Sequence, residues 1–286
     1  MRGDIESLQN LRRLKDLYFS NTNVDGDIER LQKLTSLRKM VLSSTDVYGD
    51  IESLQNLNGL ENMHLSHTEV RGDVKSLRNL AGLKRLSLSS TYVRGDIENL
   101  QNLTGLKELS LTSTDVRGDI ENLQNLTGLK KLYLHSTGVC GDIENLQKLT
   151  GLQNLYLSNT SAQGDIDALL RFPSLEVARL RSTGITGWIS PTWNGRCKKL
   201  RELQLAARGL VEWSLQLICS TELQHVQGKP GGPVATCCTP ATLPELQPAA
   251  ASFADPECGR LSWTKMLAVP LAVALACILL PYLEGS

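Results

Sequence analysis

A Gly-Asp pair returns every 23 residues along most of this chain, and that period restricts the fold more than any other feature. The glycines are Gly3, Gly26, Gly49, Gly72, Gly95, Gly118, Gly141, Gly164 and Gly187, the last without its aspartate. A fixed period between about 20 and 50 residues is the mark of a solenoid. Eight regular copies and an altered ninth occupy most of residues 3–208. One copy reads G-D-I-x-x-L-x-x-L-x-x-L-x-x-L-x-L-x-x-T-x-V-x. In the fifth, the apolar positions are Ile97, Leu100, Leu103, Leu106, Leu109, Leu111 and Val116, with Thr114 among them. The step of two between Leu109 and Leu111 predicts a short strand with both leucines on one side. The earlier steps of three suit an irregular or 3₁₀ return arm better than an α-helix. A single coil of this kind cannot bury its own apolar edge, whereas stacked coils bury each other's.

The segment L-x-x-L-x-L-x-x-T, as in Leu106–Thr114, resembles the strand signature of the leucine-rich repeat family. That family usually carries Asn or Cys where this chain has Thr22, Thr45, Thr68, Thr91, Thr114, Thr137, Thr160 and Thr183. There the Asn amides form a buried ladder to the backbone of adjacent coils. The resemblance implies a structural ladder here too, with Thr91, Thr114, Thr137 and Thr160 at its centre. A threonine hydroxyl, with one donor and two acceptor pairs, can supply part of it. The V-x-G-D-I run resembles the L-x-G-x-I-P run of the plant-type subclass, but lacks the proline in copies one to eight. The implied fold is an α/β solenoid: a right-handed superhelix with a parallel concave β-sheet, a mostly irregular or 3₁₀ convex side, and a C-terminal hydrophobic helix. Such a likeness speaks for the fold and leaves the ligand open.

The composition removes some functions. Thirty basic residues balance thirty acidic ones, so the basic excess needed for non-specific nucleic-acid binding is absent. Met1-Arg2 leads directly into the first repeat, with no signal-peptide pattern and no polar capping unit. Either the first copy is a poor cap or the sequence starts inside a longer protein. The eighth copy drifts at Phe172, Pro173 and Ala178, and the ninth carries two extra residues before Leu200. Residues 209–225, with Leu210, Val211, Trp213, Leu215, Leu217 and Ile218, are expected to cap the stack, as a short helix. Residues 226–264 hold six of the ten prolines and read as a flexible linker. Residues 265–286 contain the uncharged run Met266–Leu283, which as a helix spans roughly 27 Å and fits a transmembrane anchor. A cleaved lipid-anchor signal and a buried hydrophobic helix are the other readings. Insertion tail first would leave the repeats in the cytosol, with Arg260 and Lys265 on the positive side. A longer chain with a leader would reverse that topology.

The face of the strands gives the candidate binding surface. Tyr18, Val41, His64, Ser87, Ser110, Tyr133, Tyr156 and Arg179 form one column, and Ser20, Ser43, Ser66, Ser89, Thr112, His135, Ser158 and Arg181 a second. Tyr18, His64, His67, Tyr133, His135, Tyr156, Arg179 and Arg181 are its expected contacts with a protein partner, Tyr being an economical interface anchor. The many serines suit an ordinary solvated face equally well. Arg-Gly-Asp occurs at Arg2–Asp4, Arg71–Asp73, Arg94–Asp96 and Arg117–Asp119, but the triplet follows whenever Arg precedes the repeating Gly-Asp. The aspartates are expected to bond turn amides in a column relieved by Arg71, Arg94 and Arg117. His64 and His67 lack a third partner for a metal. Cys237-Cys238 are expected to be free thiols, with lipidation or pairing to another cysteine as the other readings, and Asn102, Asn125 and Asn159 lie in sequons. No phosphate loop, catalytic triad or cofactor motif stands out, and no small-molecule substrate is evident. The expectation is therefore a non-enzyme that holds a protein on its concave face at a membrane. The alternatives are a fragment of an extracellular receptor-like or lipid-anchored protein that binds peptide or glycan, and an accessory subunit whose chemistry lies in another domain.

Overall fold

The computed structural model describes residues 2–187, 189, 193, 196–205 and 213–215. Each of the first eight coils contains two short strands and one 3₁₀ turn. In the fifth coil the 3₁₀ turn is Ile97–Leu100, followed by the strands Glu108–Ser110 and Asp115–Asp119. The seven apolar positions predicted to form the interior, from Ile97 to Val116, are all fully buried. They join one continuous core running from Ile5 to Leu203. The helical component among the described residues is 3₁₀ throughout, so the α part of the expected α/β class is absent there.

The strands build two parallel sheets, where the sequence pointed to one. The first sheet starts at Asp16–Tyr18 and runs in parallel to Glu202–Leu205. In it Leu109 lies beside Leu86 and Leu132, so identical repeat positions stack. The second sheet runs in parallel from Arg2–Asp4 to Gly184–Thr186. Its register is shifted by two residues: Arg94 lies beside Asp115, and Gly118 beside Val139. The V-x-G-D segment looks like a turn in sequence because glycine normally weakens a strand. Here the glycine sits inside the strand because another group approaches its backbone.

That group is the aspartate of the preceding coil. Asp96 Oδ1 accepts a hydrogen bond of 2.8 Å from the Glu98 N–H and so caps the 3₁₀ turn. Eight aspartates, from Asp4 to Asp165, make this same bond. Above each carboxylate stands the glycine of the next coil. Gly118 has φ of +105°, and a Cβ on it would overlap the Asp96 carboxylate. Glycine is thus required twice, by the backbone angle and by the space.

The threonine row is buried as expected, but its bonds run differently. Thr91, Thr114, Thr137 and Thr160 donate to the carbonyls of Leu88, Leu111, Leu134 and Leu157, three residues back in the same coil. The row closes turns within coils, because a hydroxyl on a short side chain does not reach the next coil's backbone as an amide would. Coil-to-coil bonding instead passes through backbone groups, such as Ser113 N–H to His135 C=O at 3.1 Å. Ser113 and its equivalents adopt the left-handed region, with φ near +54°. For a serine this is a strained conformation.

At the C-terminal end the 3₁₀ turn lengthens to Ile166–Arg171, and Trp193 is buried with its Nε1–H on Asp167 Oδ1. The backbone of Trp213–Leu215 pairs antiparallel with Glu202–Leu205. Within the expected cap, these residues are a strand and not the short helix foreseen. A strand satisfies the open edge of the sheet, which a helix laid beside it would not. The linker 226–264 and the run Met266–Leu283 lie outside the described residues. Among those described, no helix is long and apolar enough to cross a membrane.

Three substitutions test this account of the turn, one of them a control. Thr114→Val removes the donor to Leu111 and is expected to lower stability by about 1–2 kcal/mol, while Thr104→Val at an exposed site leaves it nearly unchanged. Ser113→Asn, which tolerates the left-handed region better, is expected to gain about 0.5 kcal/mol. Urea unfolding of the full chain reads all three. Equal effects of Thr114→Val and Thr104→Val would remove the hydroxyl from the argument.

Candidate functional site

The first sheet presents two outward columns, and their chemistry changes along the stack. Near the middle the hydroxyls bond one another. Ser66 and Ser87 lie 2.6 Å apart, Ser89 and Ser110 also 2.6 Å, and the Ser89 N–H donates to Ser66 Oγ at 3.0 Å. These serines are occupied with holding adjacent coils in register. Beyond them the columns turn aromatic and basic.

Tyr133, His135, Tyr156 and Arg179 come together there. The two tyrosine rings meet edge to face, with centroids 4.7 Å apart. The Arg179 guanidinium stands 4.6 Å above the Tyr156 ring, and the His135 ring lies 6.3 Å from it. Arg179 is fixed from behind by Glu202, Nε to Oε1 at 2.8 Å with a second, longer contact at 3.4 Å. That pairing holds the Arg179 pKa above its ordinary value. His135 Nδ1 lies 3.1 Å from Thr112 Oγ1. Beside the cluster is a hollow of about 570 Å³, bordered by His135, Tyr156, Asn159, Arg179, Arg181 and Gln204. An aromatic pair with a stacked, ion-paired arginine is a rigid patch that loses little freedom when something docks on it.

Titration follows the same environment. Burial pushes the Tyr133 phenol up to about 12, helped by Tyr156 and Glu108. Burial also lowers the His135 pKa, with Arg179 adding to the effect. His64 is lowered by burial as well, against the pull of Glu108. Both imidazoles therefore resist protonation, and the patch takes its positive charge from arginine.

The other expected contacts are scattered. Tyr18 is exposed at the far, N-terminal end of the column, and His64 sits between the two ends. His67 occupies the left-handed turn, with φ of +57°, at the edge of this face, where it borders both a hollow shared with Tyr133, His135 and Tyr156 and the rim. His64 and His67 do not converge, and no cluster able to hold a metal exists among the described residues. The Arg-Gly-Asp aspartates are spent as turn caps under the next coil's glycine, so the triplets are not presented as ligands. Asn102, Asn125 and Asn159 are exposed, and Cys237-Cys238 lie outside the described residues. Sequence reasoning missed Glu202 and Gln204. Both sit on the ninth coil's strand, where the two-residue insertion breaks the column that would have pointed to them.

A family model described as leucine-rich repeat region matches residues 2–220. Among solved structures, the chain is similar to the plant peptide hormone receptor RGFR1 in complex with RGF2, at 26% identity and TM-score 0.63, covering 70% of this chain and 33% of that one. It is similar to a TDR receptor at 26% identity and TM-score 0.62, covering 70% and 36%. An internalin C2 from Listeria monocytogenes matches at 26% identity and TM-score 0.55, covering 67% of this chain and 80% of that one. The chain thus spans about a third of the length of the receptors it matches. No curated protein sequence matches it.

Spectrophotometric titration of the six tyrosines checks the cluster. One phenol is expected to ionise late, at about 12, and Tyr133→Phe removes that step. Because the folded state holds this proton more tightly than the unfolded chain, the stability involved is present below pH about 10. It is lost as pH rises towards about 12. A single titration near the ordinary phenol value would contradict the burial of Tyr133.

Proposed function

The chain belongs to the leucine-rich repeat family, and from that premise we propose that it is a non-catalytic module that holds a protein partner on its concave face. The observation that carries this reading is the cluster of Tyr133, His135, Tyr156 and Arg179 beside an open hollow. Interface energy concentrates in such Tyr and Arg anchors, ringed by contacts that mainly exclude water. The hydroxyl lattice of Ser66, Ser87, Ser89 and Ser110 suits that surrounding role. Tyr18, His64 and Arg181 extend the contact along the column, and His67 reaches it from the rim. Tyr156→Ala is expected to weaken capture of the partner by about tenfold or more, since it removes the ring shared by Tyr133, His135 and Arg179. Tyr18→Ala should matter less. Undiminished recovery by a triple Tyr133, His135 and Tyr156 alanine variant would defeat the proposal.

The proposal continues at the C-terminus. The uncharged run Met266–Leu283 supports a membrane anchor that presents the solenoid at a membrane surface, with the linker 226–264 as a tether. Fractionation of the full chain and of one lacking 266–286 tests this: the first is expected in the membrane pellet and the second in the supernatant. Equal solubility would end the anchor reading. The second reading is a fragment of an extracellular recognition protein that binds peptide or glycan. It is favoured by the similarity to receptors, one of them in complex with RGF2. Glycan on Asn102, found by mass spectrometry, would support it.

A further inference from the structure

We infer that the chain carries a second ligand site, a trough on the rim between the two sheets that takes a neutral oligosaccharide. The trough adjoins the concave cluster along the His67, Ser90 and Ser113 bank, and the inference does not rest on the function proposed for that cluster. The trough has a volume of about 650 Å³. Its floor is the buried threonine row. One bank is the row of left-handed turns, where His67, Ser90 and Ser113 stand exposed. The other bank is the first residue of successive strands of the second sheet: Asp46, Glu69, Tyr92 and Asp115.

Several observations narrow the ligand. Tyr92 is 68% exposed, the most exposed large hydrophobic residue among those described. It offers a bare ring at the middle of a polar groove. Asp46, Glu69 and Asp115 make no side-chain hydrogen bond or ion pair among the described residues, so their oxygens are open to donors from outside. Serine hydroxyls on the facing bank both donate and accept. Carboxylates that accept paired hydroxyls, beside an exposed ring for an apolar C–H face, match the two-sided chemistry of a sugar.

A polycation is the competing ligand for three carboxylates, and the neighbouring row argues against it. Arg71 lies beside Tyr92 in the sheet and Arg94 beside Asp115. Arg117 follows Asp115 on the same strand. Arg71, Arg94 and Arg117 match Asp46, Glu69 and Asp115 in number, so positive charge stands beside the acidic bank. Among the described residues that line the trough, Tyr92 is the one large side chain with an apolar face, and the rest are polar. The coils repeat every ~4.8 Å along the stack, so the same polar chemistry recurs along the groove. That favours a polymer of repeated units over a single sugar.

Calorimetric titration of the full chain with neutral hexasaccharides (cellohexaose, chitohexaose and mannohexaose) tests the inference, with hexalysine and hexagalacturonate as charged comparisons. At least one neutral hexamer is expected to bind saturably at or below about 1 mM. Tyr92→Ala and Asp115→Asn should each weaken that binding by about tenfold, while Tyr92→Phe keeps it within about threefold. Tyr156→Ala, on the concave face, should leave it unchanged, which separates this site from the first. Both rim positions are exposed, and far-ultraviolet circular dichroism verifies that the variants keep the fold. The inference is overturned if no neutral hexamer binds at about 1 mM, if binding survives Tyr92→Ala, or if hexalysine binds in the sugars' place.

Discussion

Each coil of this solenoid meets the next through an aspartate carboxylate set where a side chain on the next coil's glycine would otherwise be. The carboxylate caps its own 3₁₀ turn, as Asp96 does for Ile97–Leu100. Its outer surface fills the space that a side chain on Gly118 would need. One residue pair thus fixes the local turn and the distance between neighbours. The interior leucines supply most of the driving force, since burial of apolar area dominates folding. They do not by themselves dictate the register, because any leucine layer can slide on another. The Asp–Gly contact provides a stop that repeats with the period of the sequence.

A stack held in this way presents stiff surfaces. On the first sheet, identical positions lie side by side, so columns of like residues form automatically. Function enters where a column departs from its consensus. Serine gives way to Tyr133, Tyr156 and Arg179, and the ninth coil contributes Glu202 to hold Arg179 over the ring. On the second sheet the two-residue shift mixes columns, so that arginines lie beside aspartates and tyrosine. The same repeat therefore produces an aromatic patch on one side and a charge-balanced rim on the other.

Much of this was legible in the sequence. The steps of two and three placed Leu109 and Leu111 on one face and assigned Ile97–Leu106 to a non-α return arm, and both are buried as expected. The aspartate column was also readable as a set of turn caps. The second sheet was not, because its strands carry a glycine at positive φ that in sequence looks only like a turn signal. The direction of the threonine bonds was hidden for a related reason: burial follows from period, whereas the choice of acceptor depends on side-chain reach. His67 stands at the edge of the face rather than in its columns, because its own left-handed backbone turns it towards the rim. Glu202 escaped notice because an insertion shifted it out of its column.

The most direct measurement is a double-mutant cycle on Asp96→Ala and Gly118→Ala, read by urea unfolding. Alone, Gly118→Ala suffers both an unfavourable backbone angle and overlap with the Asp96 carboxylate; in the Asp96→Ala background only the angle remains. The coil-to-coil contact predicts that the double variant is more stable than the sum of the single losses implies, by about 1 kcal/mol or more. Losses that add to within about 0.5 kcal/mol would mean that the aspartate does not occupy the glycine's space, and the register of the stack would need another cause.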